Sequence, residues 1–297
     1  MAAKSRINGD RVFDTVCYIL ATFFLLIVLY PLIYILSCSI SDPTYVGLGE
    51  VWLLPKGITF IGYVKVFSDP AIMRGYGNTI FYTVLATLLN LTLTLPAGYA
   101  LSKKSLPGRS IFMIYLLITM YFSGGLIPQF LLVKNLNLLD KRLILIIIGA
   151  VSVYNLIITR TFFQSIPSEL EEAATIDGCS IPRMFLTIVL PLSKALIGVL
   201  TLYYGVGHWN SYFGALIYIS DEKKKPLQLV LREILVTSQL ASSAADAQST
   251  ELVYETEKLK LFLKYSVIVV SSAPLLIVYP FLQKYFDKGV MLGSLKG

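Results

Sequence analysis

Two long stretches without a charged residue most constrain what this chain can fold into. Residues 75–102 and 110–133 contain no Asp, Glu, Lys or Arg. Each is longer than the ~20 residues with which an α-helix crosses ~30 Å of hydrocarbon. The chain of 297 residues is 56% hydrophobic and 14% charged, whereas soluble domains average roughly 45–50% and about 25%. The sequence therefore predicts an all-α integral membrane protein.

Hydropathy predicts six transmembrane helices in a single domain that covers residues 1–297. The spans fall at about residues 14–38, 77–101, 110–133, 143–163, 184–207 and 264–283. Lys4, Arg6 and Arg11 precede the first span, and such basic residues favour a cytoplasmic N-terminus. Six crossings then return the C-terminus to the cytoplasmic side of the plasma membrane.

Two long loops are predicted on the outer side, at about residues 40–76 and 221–263. The first is rich in Gly and Pro, so we expect irregular structure there rather than one helix. The second contains a possible short helix at residues 227–235. The run from Lys223 to Lys225 in this second loop is either a solvated turn or a docking surface for an external protein.

Composition also argues against several classes of function. The net charge of +7 is spread over loops, which suits contact with membrane lipids rather than nucleic acid. One histidine and three widely spaced cysteines predict no metal site. No phosphate-binding G-x-x-x-x-G-K-[ST] loop is present, so we expect no ATP hydrolysis by this chain and no catalytic residue. The first apolar block is too long for a cleavable signal peptide.

A short polar segment at about residues 164–183 interrupts the apolar sequence. Ser168 is predicted as the N-cap of a helix, with Glu171 as its partner in a capping box. Gly178 is predicted to end this helix, because glycine tolerates a positive φ. Further on, Pro191 removes one backbone hydrogen bond and predicts a kink in the fifth span.

The spacing in this segment resembles the signature of importer-type ABC transporter permeases. Glu172-Ala173-Ala174 is followed by Gly178, and after nine more residues by Ile188-Val189-Leu190-Pro191. The resemblance implies that the 164–183 segment docks into a separate ATPase subunit. The coupling residues that it implies are Glu169, Glu172, Ala173, Ala174, Asp177 and Gly178. The alternative is an amphipathic cytoplasmic loop with ordinary capping.

The resemblance extends over nearly the whole chain. Residues 121–136, residues 155–163 and Trp209-Asn210-Ser211-Tyr212-Phe213 are similar to carbohydrate-uptake permeases of the maltose type, in the branch that handles complex oligosaccharides and polysaccharide fragments. This implies the type I ABC importer architecture and alternating access. It also implies four kinds of partner in a bacterial plasma membrane. These are a second homologous permease, two ATP-binding subunits that hold ATP and Mg, an extracellular solute-binding protein, and an oligosaccharide substrate.

A polar stripe on the second span is the candidate lining of a substrate path. Thr79, Thr83, Thr87, Asn90 and Thr94 recur at helical spacing and share one face. Sugars need hydroxyl partners and aromatic faces, so the predicted path residues are Thr79, Tyr82, Thr83, Asn90, Tyr204, Trp209, Asn210 and Tyr212. The alternative is that the threonines bond to their own helix or pack between helices.

Two charged or titratable residues near span ends have two interpretations each. His208 is either an interfacial belt residue beside Trp209 or a titrating switch. Arg160 either extends to the cytoplasmic interface or contacts an acid of the 164–183 segment.

Other functions stay open. The same coupling motif fits an importer of amino acids or peptides. An ion-coupled secondary transporter usually carries acids within the membrane, whereas every Asp and Glu here lies in a loop or near a membrane end. A receptor or scaffold without transport would need neither the polar stripe nor the docking segment.

Overall fold

The computed structural model describes residues 2–245 and 263–280, and in this part of the chain it contains helices and no strand. The helices are α1 (Ala2–Ser39), α2 (Pro43–Gly47), α3 (Ile61–Ser68), α4 (Pro70–Ser102), α5 (Arg109–Tyr121), α6 (Leu126–Asn135), α7 (Arg142–Ile147), α8 (Val153–Gln164), α9 (Ser168–Ile176), α10 (Ile181–Met184), a π-helix (Phe185–Val189), α11 (Leu190–Leu192), α12 (Lys194–Trp209), α13 (Phe213–Tyr218), a 3₁₀ turn (Glu222–Lys224), α14 (Leu227–Ala245) and α15 (Leu263–Pro280).

The chain packs as two compact units. One comprises Met1–Pro70 with Leu231–Ala273, and the other comprises Ala71–Val230 with Pro274–Gly297. The predicted cytoplasmic C-terminus, the end of the sixth span and residues 246–262 of the second long loop lie outside the described residues.

The first unit contains α1, α2 and α3. Its small core is Cys38, Val46 and Val51, and Ser266 Oγ donates to the Ser39 carbonyl at 3.3 Å. The side chains of residues 11–32 on α1 are all exposed although most are apolar. Such a surface suits hydrocarbon or another membrane helix and not water. The 40–76 segment is broken into short helices and turns, as predicted.

The second unit is built around α4, a helix of 33 residues. Leu95 and Tyr99 of α4 share a core cluster with Phe163 of α8 and with Leu200 and Tyr204 of α12. The helices α4 and α8 approach closely at Gly98, where an added Cβ would lie 2.4 Å from Thr159 Cγ2. Glycine is needed at this position because any side chain would collide with α8.

Three of the six predicted spans are interrupted. The expected continuous helix at 110–133 is wrong, because α5 and α6 meet at 109° where Gly125 has a φ of +85°. The span at 143–163 divides into α7 and α8 around Gly149, whose φ is +72°. The 184–207 span bends by 82° between residues 181–192 and 194–209. A bend near Pro191 was predicted, and the break falls at Ser193.

The described residues contain three helices that are long and apolar enough to cross a membrane: Arg11–Ser39, Pro70–Ser102 and Leu263–Pro280. The count rises to five if each of the two sharply bent pairs forms one span. The predicted count of six is therefore not confirmed, whereas the all-helical membrane class agrees with these lengths and compositions.

Candidate functional site

Helix α9 is a short polar helix with a well-defined end. It runs from Ser168 to Ile176, and Gly178 follows with a φ of +72°. The Gly178 N–H donates to the Thr175 carbonyl at 3.0 Å, and the Cys179 N–H donates to the Ala174 carbonyl at 2.9 Å. This pair of bonds is a Schellman motif, so Gly178 ends the helix as predicted.

The start of α9 differs from the prediction. Pro167 occupies the N-cap position, and no side-chain capping bond forms there, so the capping box of Ser168 with Glu171 is wrong. Glu171 instead forms an ion pair with Lys103 Nζ through both carboxylate oxygens. Lys103 follows directly after α4 and also lies 4.3 Å from the centre of the Tyr99 ring. Glu171 pairs with Lys103 rather than with the backbone at the start of α9, because the cation offers its carboxylate a charge-assisted hydrogen bond.

The remaining predicted coupling residues divide by exposure. Glu169, Glu172, Ala173, Asp177 and Gly178 are exposed, while Ala174 is buried. Ile176 is 86% exposed. Helix α9 therefore presents acids and an apolar side chain outward, and the Lys103–Glu171 pair fastens its opposite side to the end of α4.

A second candidate site is a cavity of about 360 Å³ in the second unit, called here the polar cavity. Its walls come from α4, α7, α8, α12, α13 and the loops beside them. The lining residues are Thr79, Tyr82, Leu145, Ile148, Gly149, Ser152, Asn155, Tyr203, Tyr204, Gly207, His208, Ser211, Gly214, Ala215 and Pro226. The polar groups of its lining are hydroxyls, an amide and an imidazole. None of the lining residues is Asp, Glu, Lys or Arg.

Asn90 fixes one wall of the polar cavity. Its Nδ2 donates to the carbonyls of Gly149 and Ala150 at 3.0 and 2.7 Å. Its Oδ1 lies 2.7 Å from His208 Nε2. The buried Asn90 amide thus connects α4 to the non-helical segment between α7 and α8 and also to α12. His208 is half-buried and lines the cavity.

Three α4 side chains hold the loop that enters α14. Asn78 Nδ2 donates to the carbonyls of Lys223 and Lys225, each at 2.9 Å. Tyr82 OH donates to the Lys224 carbonyl at 2.9 Å. The Leu227 N–H donates to Thr79 Oγ1 at 2.8 Å. Thr79 and Tyr82 line the polar cavity, but their polar atoms are engaged by the loop.

The same loop carries a charged cluster. The backbone N–H of Asp221, Lys224 Nζ and the Ser220 N–H all bind the Asp140 carboxylate, at 3.0 to 3.1 Å. These bonds hold the pKa of Asp140 below its ordinary value, and the bond from the Asp221 N–H has the largest effect. The bond to Asp140 raises the pKa of Lys224. Lys224 is therefore held within the loop, whereas Lys223 stays exposed.

A larger cavity of about 530 Å³, the apolar cavity, lies among α4, α12 and α15. Thr83 and Trp209 line it, and so does Thr87, but most of its wall is aliphatic. The hydroxyls of Thr83 and Thr87 are buried and have no hydrogen-bond partner among the described residues. The predicted polar stripe is therefore divided: Thr79 faces one cavity, Thr83 and Thr87 face the other, and Thr94 bonds to Tyr204 OH at 2.8 Å.

Three of the predicted path residues, Asn90, Asn210 and Tyr212, line neither cavity. Asn210 and Tyr212 are exposed and follow the end of α12.

Arg160 forms no ion pair with α9 in the described structure, where its Nε is buried without a partner. The prediction missed Asn155. The sequence feature that could have indicated it is its position at the start of α8, three residues after Ser152, whose side chain caps that helix.

Comparisons with known proteins give a consistent result. The sequence profile of the family described as "binding-protein-dependent transport system inner membrane component" matches residues 1–292. Protein LplC of Bacillus subtilis is 42% identical over 98% of this chain and 97% of its own length. The polygalacturonan/rhamnogalacturonan transport system permease protein YtcP of the same organism is 39% identical, over 97% and 99%. A bacterial ABC transporter involved in the import of the acidic polysaccharide alginate has a chain of TM-score 0.83 and 37% identity, with 94% of this chain and 98% of that chain covered.

Proposed function

This chain belongs to the family of binding-protein-dependent transport system inner membrane components, and on that premise we propose that it is the permease subunit of an ATP-driven oligosaccharide importer. Family membership makes it a membrane component of a transporter and not an enzyme. The carbohydrate substrate is supported by the names of its relatives, which include transport proteins for polygalacturonan/rhamnogalacturonan, maltodextrin and the acidic polysaccharide alginate.

The observation that carries the proposal is the geometry of α9. The Lys103–Glu171 pair anchors this short helix on one side, so α9 can transmit a force to α4 without detaching from it. Its outer side presents Glu172 and the 86%-exposed Ile176. Specific protein interfaces combine an apolar core with a polar rim, and an exposed isoleucine beside acidic side chains supplies both. We assign this surface to docking with the ATP-binding subunit, which would hold ATP and Mg.

The mechanism that we propose is alternating access. Closure of two ATP-binding subunits moves α9, and the helices connected to it shift between inward-open and outward-open states. ATP and a loaded solute-binding protein each bias this equilibrium through their different affinities for the two states. A second, homologous permease completes the path. In this arrangement α9 and both chain termini lie in the cytoplasm, and the 221–226 loop faces outward.

The test uses the assembled transporter in proteoliposomes. The ATP-binding subunits should co-purify with this chain, and oligosaccharide-loaded binding protein should stimulate ATP hydrolysis. Glu172→Lys should reduce the stimulated rate at least tenfold while the protein stays in the membrane, because it reverses a charge at the docking surface. Asp14→Lys is the control, since it reverses an exposed acid on α1 that has no place in the docking surface. Normal stimulation in Glu172→Lys would refute the role of α9.

A further inference from the structure

We infer that the polar cavity is a binding site for an uncharged sugar ring and that Asn155 is its recognition residue. The inference rests on the proposed function and deepens it, because it names the part of the carbohydrate that this subunit accepts. It also distinguishes this cavity from a site for uronate sugars, amino acids or peptides.

Asn155 is a polar side chain of the cavity that forms no side-chain hydrogen bond within the described residues. The residue is 6% exposed, and it lines the cavity. Only its backbone groups take part in hydrogen bonds within the described structure. Its amide atoms are not fully enclosed by protein, so they border open space. An amide in this position offers two N–H donors and an acceptor oxygen to whatever occupies the cavity.

The ring of His208 has one defined donor. Asn90 Nδ2 donates to two carbonyls, so the amide orientation is fixed and Asn90 Oδ1 is an acceptor. His208 Nε2 lies 2.7 Å from that oxygen and must therefore carry the proton. A neutral imidazole then keeps Nδ1 as an acceptor. Asn155 and His208 together supply donors and acceptors, which matches a hydroxyl group because it both donates and accepts.

The aromatic residues supply rigid apolar surfaces. Tyr82 OH is held by the Lys224 carbonyl, and Tyr204 OH is held by Thr94, so neither ring is free to turn away. Tyr203 also lines the cavity. The C–H face of a pyranose is apolar, and small-molecule sites generally combine such surfaces with a few well-placed polar groups.

Charge and size define the ligand class. A uronate or an amino acid would bring a carboxylate into a cavity without a lining Lys or Arg, and burial of an unpaired charge is strongly unfavourable. A neutral ring carries no such penalty. The volume of about 360 Å³ lies near the lower end of the range of about 300–1,000 Å³ for small-molecule sites. It suits one or two sugar rings rather than a long oligosaccharide.

Ligand binding to the purified, assembled transporter tests this inference. Saturation-transfer NMR would compare a panel of uncharged disaccharides (lactose, cellobiose, maltose and melibiose) with digalacturonate. We expect at least one uncharged disaccharide to bind and digalacturonate to bind at least tenfold more weakly. Binding of none of the four, or equal binding of digalacturonate, would overturn the inference.

Substitutions locate the site. Asn155→Leu should weaken binding of the best disaccharide about tenfold, because it removes hydrogen bonds without a large change in volume. Asn155→Asp, a near-isosteric change, serves as the second variant if Asn155→Leu fails to assemble, and it should also weaken binding. Thr161→Val is the matched control on the same helix, since Thr161 is exposed and its hydroxyl bonds back to Ile157. Wild-type affinity in an assembled Asn155 variant would exclude this residue.

The His208 contribution has its own pair of variants. His208→Gln keeps a donor for Asn90 and an acceptor on the same side chain, so binding should stay within about threefold of wild type. His208→Phe removes both and should weaken binding about tenfold. Equal affinity in the two variants would exclude a hydrogen-bonding role.

Failure here and failure of the proposed function are distinguishable. If ATP hydrolysis is coupled through Glu172 but no sugar occupies the polar cavity, only the present inference is refuted. If sugars bind in the cavity but no ATP-binding subunit associates with α9, the proposed function is refuted.

Discussion

Threonine hydroxyls in the second unit show how closely polar groups are matched inside the helices. Thr159 and Thr201 donate to the carbonyl four residues earlier on their own helix, and Thr94 pairs with Tyr204 across helices. Thr83 and Thr87 do neither, although their hydroxyls are buried. A buried polar group without a partner costs about 1–3 kcal/mol, so these two residues should reduce stability in the state that the structure shows.

Valine substitutions test this difference. Thr87→Val removes an unpaired hydroxyl at nearly constant volume and should raise the free energy of unfolding by about 1 kcal/mol. Thr94→Val removes the partner of Tyr204 and should lower it by about 1 kcal/mol. Thermal unfolding of the purified transporter would measure both. Equal destabilisation by the two variants would show that the Thr87 hydroxyl is in fact satisfied.

Asp140 gives a pH-dependent prediction. Its pKa is lowered, chiefly by the Asp221 N–H and then by Lys224, so the carboxylate is stabilised in the folded loop. That contribution is present above the ordinary pKa of an aspartate and is lost as the pH falls through the lowered value. Hydrogen exchange of residues 218–225, corrected for intrinsic rates, should accelerate below about pH 4. Asp140→Asn should exchange faster at neutral pH and depend less on pH, because Asp221 is then the remaining carboxylate of this loop with a lowered pKa. A pH-independent wild type would contradict the prediction.

The sequence could predict which residues share a face of α4, but not which helices lie opposite them. Helical spacing placed Thr79, Thr83 and Asn90 on one side. The partners of Thr79 and Asn90 come from residues 59 to 148 positions away in the chain, whereas the Thr83 hydroxyl has none among the described residues. That information is tertiary. The availability of Asn155 likewise depends on which neighbouring groups fail to reach it.

At the scale of the helices, the contact of α4 with α8 depends on one glycine. An added Cβ at Gly98 would meet Thr159 Cγ2 at 2.4 Å and Cβ at 2.9 Å. Thr159 cannot easily rotate because its hydroxyl is bonded to the Asn155 carbonyl. The two helices would therefore have to separate.

Gly98→Ala should lower the free energy of unfolding by about 1–3 kcal/mol, the usual result of overpacking. Gly77→Ala on the same helix is the matched control, because nothing lies within 4 Å of its added Cβ. Alanine is intrinsically the better helix former, so Gly77→Ala should be neutral or stabilising by up to about 1 kcal/mol. Thermal unfolding with a folded-state check by gel filtration would measure both. Equal effects of the two variants would argue against the close approach.

Helix existence was easier to predict than helix continuity. The uncharged stretches correctly indicated helices at α4 and at α5 with α6. The interruptions at Gly125 and Gly149 were not predicted, because glycine is common in membrane helices and only its φ in the folded chain shows a break. The predicted cap at Ser168 failed for a similar reason, since Glu171 found a cation 68 residues away.

At the scale of the whole molecule, the Lys103–Glu171 pair connects the proposed docking surface of α9 to α4, which lines both cavities. Both side chains are largely buried, at 30% and 20% exposure. If this pair transmits the movement of α9, its geometry should matter more than the identity of either residue.

A charge exchange tests this connection. Lys103→Glu and Glu171→Lys should each reduce substrate-stimulated ATP hydrolysis several-fold, because like charges would then face each other. The double variant restores opposite charges and should recover at least half of the wild-type stimulation. The measurement is the stimulated rate divided by the basal rate in proteoliposomes. Additive losses in the double variant would show that the two residues act independently.

The bend of 82° at Ser193 has a mechanical consequence. Ser193 is fully buried, and its hydroxyl bonds to the Val189 carbonyl at 2.7 Å, so the bend has a fixed pivot. The sixteen residues of α12 beyond it form an arm of ~24 Å at 1.5 Å per residue. A helix pair bent in this way converts a displacement along the axis of residues 181–192 into a sideways displacement of the end of α12. A rotation of only ~5° about the pivot would carry Trp209, at the far tip, sideways by ~2 Å.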